Sequence, residues 1–270
     1  MKVCRMYARA VMVAMAVLTA GAAGAQEGQK PFVPEVGQAG KDVVWVPTPA
    51  ELVEKMLDLA KVTPQDFVMD LGSGDGRNII AAAKRGARAV GVEYNPEMVS
   101  LSTRLAKEAG VADKAQFVQG DMYVADISKA NVLALFLLPS NMLQLRQKFL
   151  DLQPGSRIVS NTFTIQDWTA DEQTTIGDCS AWCTALLYIV PAKVAGTWKV
   201  PEGELTLKQD FQMLTGTLTG PGGPVAVTGR LRGAEITLQG AQQEIRGRVN
   251  GGAIEATQAN GTPWRATRTN

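Results

Sequence analysis

The chain has 270 residues, with 27 Lys and Arg against 26 Asp and Glu, three cysteines and no histidine. That composition suits a folded globular protein of one large or two modest domains, without the basic footprint of a nucleic-acid binder. The absence of histidine excludes a His general base, a Ser-His-Asp triad and His-ligated zinc, and three cysteines cannot build a four-cysteine zinc site, so no metal centre is expected.

Residues 1–25 carry a basic start (Lys2, Arg5, Arg9), an apolar stretch over 11–18 and a small-residue end, Ala23-Gly24-Ala25. This is the layout of a Sec-type signal peptide cut after Ala25, and it predicts an exported, periplasmic chain. An uncleaved anchor is the alternative. It is disfavoured because the apolar run falls short of the roughly 20 residues a spanning helix needs. Cleavage leaves 24 basic and 26 acidic residues, a net charge of −2. Residues 26–40 are rich in Gly, Gln and Pro, show no periodicity and read as a flexible arm.

Over residues 41–195, strand and helix patterns alternate. "TPAELVEKMLDLAKV" predicts a helix with Thr48 as N-cap, Pro49 in the first helical position and Glu51 completing a capping box. "DFVMDLG" is a strand, "GRNIIAAAKRG" a helix and "RAVGVEY" a second strand. A helix capped by Asn95, the strand "AQFVQGD" and the wholly apolar strand "ANVLALFLL" follow. "NMLQLRQKFLDLQPG" is a helix, with Ser140 a good N-cap, and "SRIVSNTF" a strand. A weaker pair of strands is expected near 174–176 and 184–190. Such alternation implies right-handed crossovers and a doubly wound, Rossmann-like α/β sheet. From 196 to 270 the helical patterns stop, and "TGTLTG", "TGRLRG" and "RGRVNG" echo one another at strand ends. This predicts an antiparallel meander or small barrel, with Trp198 and Trp264 packed near its two ends.

The chemistry centres on "DLGSGDG", residues 70–76, a glycine turn between strand and helix. Asp70 lies at the carboxyl end of its strand, where open α/β sheets bind ligands. Glu93 ends the next strand, placed to accept from two ribose hydroxyls. Asp121 follows the third, placed to accept from an adenine amino group. Asp70 and Asp75 would repel a diphosphate, and the loop lacks both the dinucleotide spacing and a P-loop Gly-Lys-Ser/Thr. An adenosine ligand that is cationic and phosphate-free fits: S-adenosylmethionine (SAM).

"VMDLGSGDGR", "VGVEYNPEMV" and "FVQGDM" resemble the cofactor motifs of class I, seven-strand SAM-dependent methyltransferases, over residues 44–190. The resemblance implies that Asp70, Gly72 and Gly74 line the methionine end, and the loop residues Ser73 and Asp75 are further cofactor-binding candidates. It places Glu93 on the ribose, Tyr94 beside the adenine, and Asp121 and Met122 around it. "VWVPTP" is similar to a segment that closes over the cofactor, which makes Thr48 a candidate contact. "WVPTPAELVEKML" and "LLPSNMLQLRQKFLDLQPGSRIVSNTF" look like small prokaryotic and mitochondrial-type members, some of which modify protein lysines. Two departures stand out. The fourth strand ends Phe136-Leu137-Leu138-Pro139-Ser140 and not in an Asn/Asp-Pro-Pro-Tyr pattern, and Asn78 replaces a commoner branched apolar residue, a minor change.

The sequence leaves the acceptor open between a protein lysine and a small molecule. Leu138, Pro139, Ser140, Asn141, Asn161 and Trp168 form the candidate acceptor rim, although Ser140 fits a helix cap better and Trp168 equally fits packing. An exported binding module that keeps the fold without turnover is the second functional reading, because SAM is made in the cytoplasm. Cys179 and Cys183 bridge only if "CSAWC" turns; in an extended strand their Cα atoms would lie about 13 Å apart. Two reduced packing cysteines are the alternative.

Overall fold

The structure, a computed structural model, describes residues 32–240, 243–258 and 261–269. The expected signal peptide and the first part of the expected arm lie outside the described residues.

The first half of the chain alternates as its patterning demands: α1 (Ala50–Leu59), β1 (Phe67–Leu71), α2 (Arg77–Lys84), β2 (Arg88–Glu93), α3 (Pro96–Glu108), β3 (Ala115–Gln119), β4 (Val132–Leu135), α4 (Pro139–Leu150), β5 (Arg157–Asn161), β6 (Glu172–Thr175) and β7 (Thr184–Ile189). The seven strands form one sheet in the order β3-β2-β1-β4-β5-β7-β6, with β7 antiparallel to both neighbours. This is the seven-strand, doubly wound, Rossmann-like sheet that the sequence pattern implies.

Central β4 shows why both faces must be apolar. Val132 and Ala134 point into one core with Leu52, Met56 and Ile79, while Leu133 and Leu135 point into the other with Met142, Leu145 and Phe149. Burying each such leucine contributes about 1.5–3 kcal/mol.

Local signals were overridden at two helix starts. Helix α1 begins at Ala50 with Pro49 as N-cap and no side-chain cap. Thr48 does not cap it, because its hydroxyl accepts instead from Asn161 Nδ2 at 3.2 Å. Helix α4 begins at Pro139 with Leu138 as N-cap, so Ser140 lies inside its first turn. Pro139 takes the first helical position of α4, whereas Pro49, expected there in α1, takes the N-cap itself; in each case the polar neighbour is left out of the capping position. The arm is also corrected in part. Gly37 N–H donates to Trp45 O at 2.8 Å, Trp45 N–H to Gln38 O at 2.9 Å, and Gly40 N–H to Val43 O at 2.8 Å, which makes residues 37–45 a hydrogen-bonded hairpin.

The second half is a closed antiparallel barrel of β8 (Gly196–Val200), β9 (Gly203–Asp210), β10 (Met213–Gly220), β11 (Gly223–Arg232), β12 (Glu235–Gly240), β13 (Gln243–Asn250), β14 (Ala253–Gln258) and β15 (Pro263–Arg268). Closure pairs β15 with β8 and removes open strand edges. Trp198 and Trp264 are buried in its core; Trp198 Nε1 donates to Val194 O and Trp264 Nε1 to Glu202. Ala192 and Val194 also pack into that core, so the barrel recruits the linker that precedes it. It is fastened to the sheet domain by polar contacts: Arg230 donates to Asp171 at 2.8 Å, Asp171 also accepts from Ile189 N–H, and Gln212 donates to Thr169 O.

Candidate active site

The cofactor candidates meet at the carboxyl ends of β1, β2 and β3. Gly72, Gly74 and Gly76 all have positive φ, so the loop uses glycine at the points where an L side chain would strain the turn. At Gly74, φ is +53° and a Cβ would sit 2.8 Å from Trp45 Nε1 in the hairpin. Gly74→Ala is therefore expected to cost about 1–2 kcal/mol, read as a lowered Tm, and to push the hairpin off the loop.

Glu93 is fixed by both oxygens: one accepts from Gly74 N–H and the other from Asn95 N–H, each at 2.9 Å. The second lone pairs of those oxygens remain available to a diol. Asp75 is gripped by Arg77, which also donates to Thr48 O at 2.6 Å. Loop and "VPTP" segment are thereby tied together. Thr48, Asp70, Gly72, Ser73, Gly74, Asp75 and Glu93 all line one cavity, which the 37–45 hairpin also lines. An adjoining cavity, sharing Gly40, Val43, Gly72 and Glu93 with the first, is lined by Tyr94, Asp121 and Met122. The ten expected cofactor residues thus fall around these two adjoining cavities, together called the cleft.

Asp70 is its electrostatic centre. The residue is 3% exposed. Burial pushes its carboxyl well above the usual range, and Glu93 and Asp75 nearby push the same way; the Asn78 hydrogen bond opposes them. Among the described residues no Lys or Arg is hydrogen-bonded to it. Asn78 is therefore not a minor substitution: its Nδ2 donates to Asp70 at 3.0 Å and reaches Ala134 O at 3.3 Å. Asn78 Oδ1 and Ser73 Oγ are buried without a hydrogen-bond partner among the described residues. A cleft with a buried carboxyl, two orphan polar atoms and a glycine cradle fits a cationic ligand rich in hydrogen-bonding groups.

Asp121 has company that the strand pattern did not reveal. Lys41 Nζ lies 3.1 Å from it, and Tyr123 N–H donates to it at 2.9 Å. The Tyr123 amide and the Lys41 ammonium hold its carboxyl below the usual range. Lys41 also lies over the Tyr94 ring, 5.4 Å from its centroid. Lys41 carries no motif signal; the folded hairpin brings it to Asp121.

The acceptor rim is not assembled as expected. Trp168 is fully buried, stacked on Phe211 at 5.6 Å and edge-on to Tyr188 at 5.4 Å, so it is core and not rim. Asn161 is fully buried and engaged with Thr48 and Thr162. Asn141 is buried and donates to Tyr123 Oη at 2.6 Å. Leu138, Pro139 and Ser140 are exposed at the start of α4, and none of the six lines the cleft. Phe136, just before them, does. Cys179 and Cys183 are disulfide-bonded, with Cα atoms 5.8 Å apart across a turn.

Residues 70–172 match the ANTKMT methyltransferase domain. A protein-lysine N-methyltransferase of Saccharolobus islandicus is 40% identical over 151 residues, 55% of this chain and 94% of that enzyme. The adenine nucleotide translocase lysine N-methyltransferase of Mus musculus is 35% identical over 128 residues, 47% of this chain, and the chain spans 56% of its length. Among solved structures, one from Salinibacter ruber, described as an RNA methyltransferase with bound S-adenosyl-L-homocysteine, is 42% identical. It aligns with a TM-score of 0.52 over 55% of this chain and 96% of its own. The family-model match ends at residue 172, before the barrel begins. With nearly all of the Saccharolobus enzyme matched at this identity, the chain belongs to the same family as that protein-lysine N-methyltransferase and is a SAM-dependent methyltransferase.

Proposed function

We propose that the chain is an exported protein-lysine N-methyltransferase. The observation that carries the cofactor side is the buried Asp70, which has acidic neighbours and, among the described residues, no basic hydrogen-bond partner. The lysine side draws support from the named activities of the relatives, and export from the signal-like residues 1–25 together with the Cys179–Cys183 bridge, which suits an oxidising compartment.

SAM, when bound, supplies an electrophilic methyl group on a sulfonium. In this reading Asp70 accepts from the methionyl ammonium, and Ser73 and the Gly72–Gly74 backbone follow the methionine chain. Glu93 accepts from the ribose hydroxyls, while Tyr94, Asp121 and Met122 frame the adenine. Asp75 acts through Arg77 to hold the loop against Thr48 O. The hairpin and Phe136 exclude water from the transfer region. A neutral amine needs alignment more than a base, so the absence of histidine is no obstacle.

The test uses the mature chain, labelled SAM and a cell-envelope protein fraction. The expected result is label recovered as Nε-methyl-lysine after acid hydrolysis, in a chain whose mass begins at Gln26. Label appearing in RNA, or in small molecules only, would overturn the lysine assignment. A secreted chain that retains residues 1–25 would overturn cleavage.

A further inference from the structure

Three aromatic rings converge beside the cleft from three different strand ends. Phe136 follows β4, Phe163 follows β5, and Trp182 precedes β7. Because β7 runs antiparallel to β5, with Asn161 opposite Ala185 in register, its entry lies beside the carboxyl ends of the parallel strands. The ring centroids are 5.9 Å apart for Phe136 and Phe163, 5.7 Å for Phe136 and Trp182, and 5.1 Å for Phe163 and Trp182. Phe136 also lines the cleft with Asp70, Asn78 and Thr48, which joins the cluster to the cofactor side. Trp182 is 37% exposed, unusual for the largest side chain in a protein whose Trp168 and Trp198 are fully buried.

The backbone around Trp182 is held in place. Trp182 has φ +60°, a conformation bulky L residues rarely adopt, and it lies inside the five-residue ring closed by Cys179 and Cys183. Ile176 N–H donates to Cys183 O at 3.0 Å, and Thr162 N–H donates to Thr184 O at 2.7 Å. These bonds anchor the ring's exit against Ile176, which follows β6, and against Thr162, the neighbour of Phe163.

We propose that Phe136, Phe163 and Trp182 form an acceptor subsite for an alkylammonium, the lysine side chain and its methylated forms, and that the Cys179–Cys183 bridge positions Trp182 in it. This deepens the lysine assignment and rests on it. Aromatic faces carry negative potential and attract ammonium groups. The bound lysine ammonium must first lose a proton to solvent; the neutral nitrogen's lone pair then becomes the new N–C bond, the S–C electron pair stays on sulfur, and positive charge returns to nitrogen. The rings therefore favour the transition state over the neutral amine.

The test is titration of the mature chain with choline and with its uncharged isostere, 3,3-dimethylbutan-1-ol, following the indole N–H resonance that disappears in Trp182→Phe. Choline is expected to shift that resonance with at least ~10-fold tighter apparent affinity than the isostere. Trp182→Ala and the Cys179→Ser/Cys183→Ser double variant should lose choline binding and raise the KM for poly-L-lysine about 10-fold, with SAM binding by calorimetry unchanged. Equal response to the two probes, or no response while SAM still binds, would overturn the subsite. Loss of SAM binding in wild type would instead sink the cofactor reading, and choline binding without methyl-lysine formation would sink the lysine reading alone.

Discussion

Asp70→Asn is expected to weaken SAM binding by about 10- to 100-fold, the size of one lost hydrogen bond to a charged group, roughly 1.5–3 kcal/mol. The same change should raise the Tm of the ligand-free chain, because it removes a buried ionisable group and leaves Asn78 a neutral partner. Burial lifts the Asp70 carboxyl above its ordinary 3.8. In the folded chain it therefore holds its proton more tightly than in the unfolded chain. Its contribution to ligand-free stability is full below pH 3.8 and is lost as pH rises through the folded pKa. A cationic ligand favours the ionised form, so binding expels a proton and SAM affinity should rise with pH across that window. Calorimetry in buffers of different ionisation enthalpy measures both quantities. In Asp70→Asn the proton release should vanish. An unchanged proton count, or wild-type affinity, would remove Asp70 from the cofactor site.

The cofactor half of the site was readable because its signals are local. Glycines at a strand-helix turn and acids at strand ends are set by short-range backbone geometry, and a parallel sheet necessarily gathers its carboxyl ends on one side. The acceptor half was not readable in the same way. Asn161 and Trp168 were reasonable rim candidates by position, yet one closes onto Thr48 and the other onto Phe211, partners 113 and 43 residues away. Phe136 and Trp182 lie 46 residues apart in sequence, and only the antiparallel entry of β7 brings their rings together. Lys41 lies just past the aperiodic arm and in no predicted element, and its pairing with Asp121 depends on the hairpin that only the fold displays. The capping errors have a simpler origin. Pro49 and Pro139 each begin a helix more effectively than a neighbouring hydroxyl can cap one.

Trp168→Ala is expected to destabilise the chain by about 3–5 kcal/mol, the usual cost of emptying a large aromatic site, and to lower Tm on the order of 10 °C. Trp168 belongs to the sheet domain and its stacking partner Phe211 to the barrel, at an interplanar angle of 3°. Asp171, three residues on, binds Arg230 of β11 while also accepting from Ile189 N–H in β7. The loss should therefore spread to both domains, and hydrogen exchange should increase in β7 and β11 together. SAM affinity, set by Asp70 and Glu93 at the carboxyl ends of β1 and β2, should change less than ~3-fold, since sites that share no partners act nearly additively. A rim residue would behave in the opposite way, raising the KM for the acceptor with little effect on Tm. Obtaining that second pattern would return Trp168 to the substrate site and loosen the case for the barrel as a structural support of the sheet.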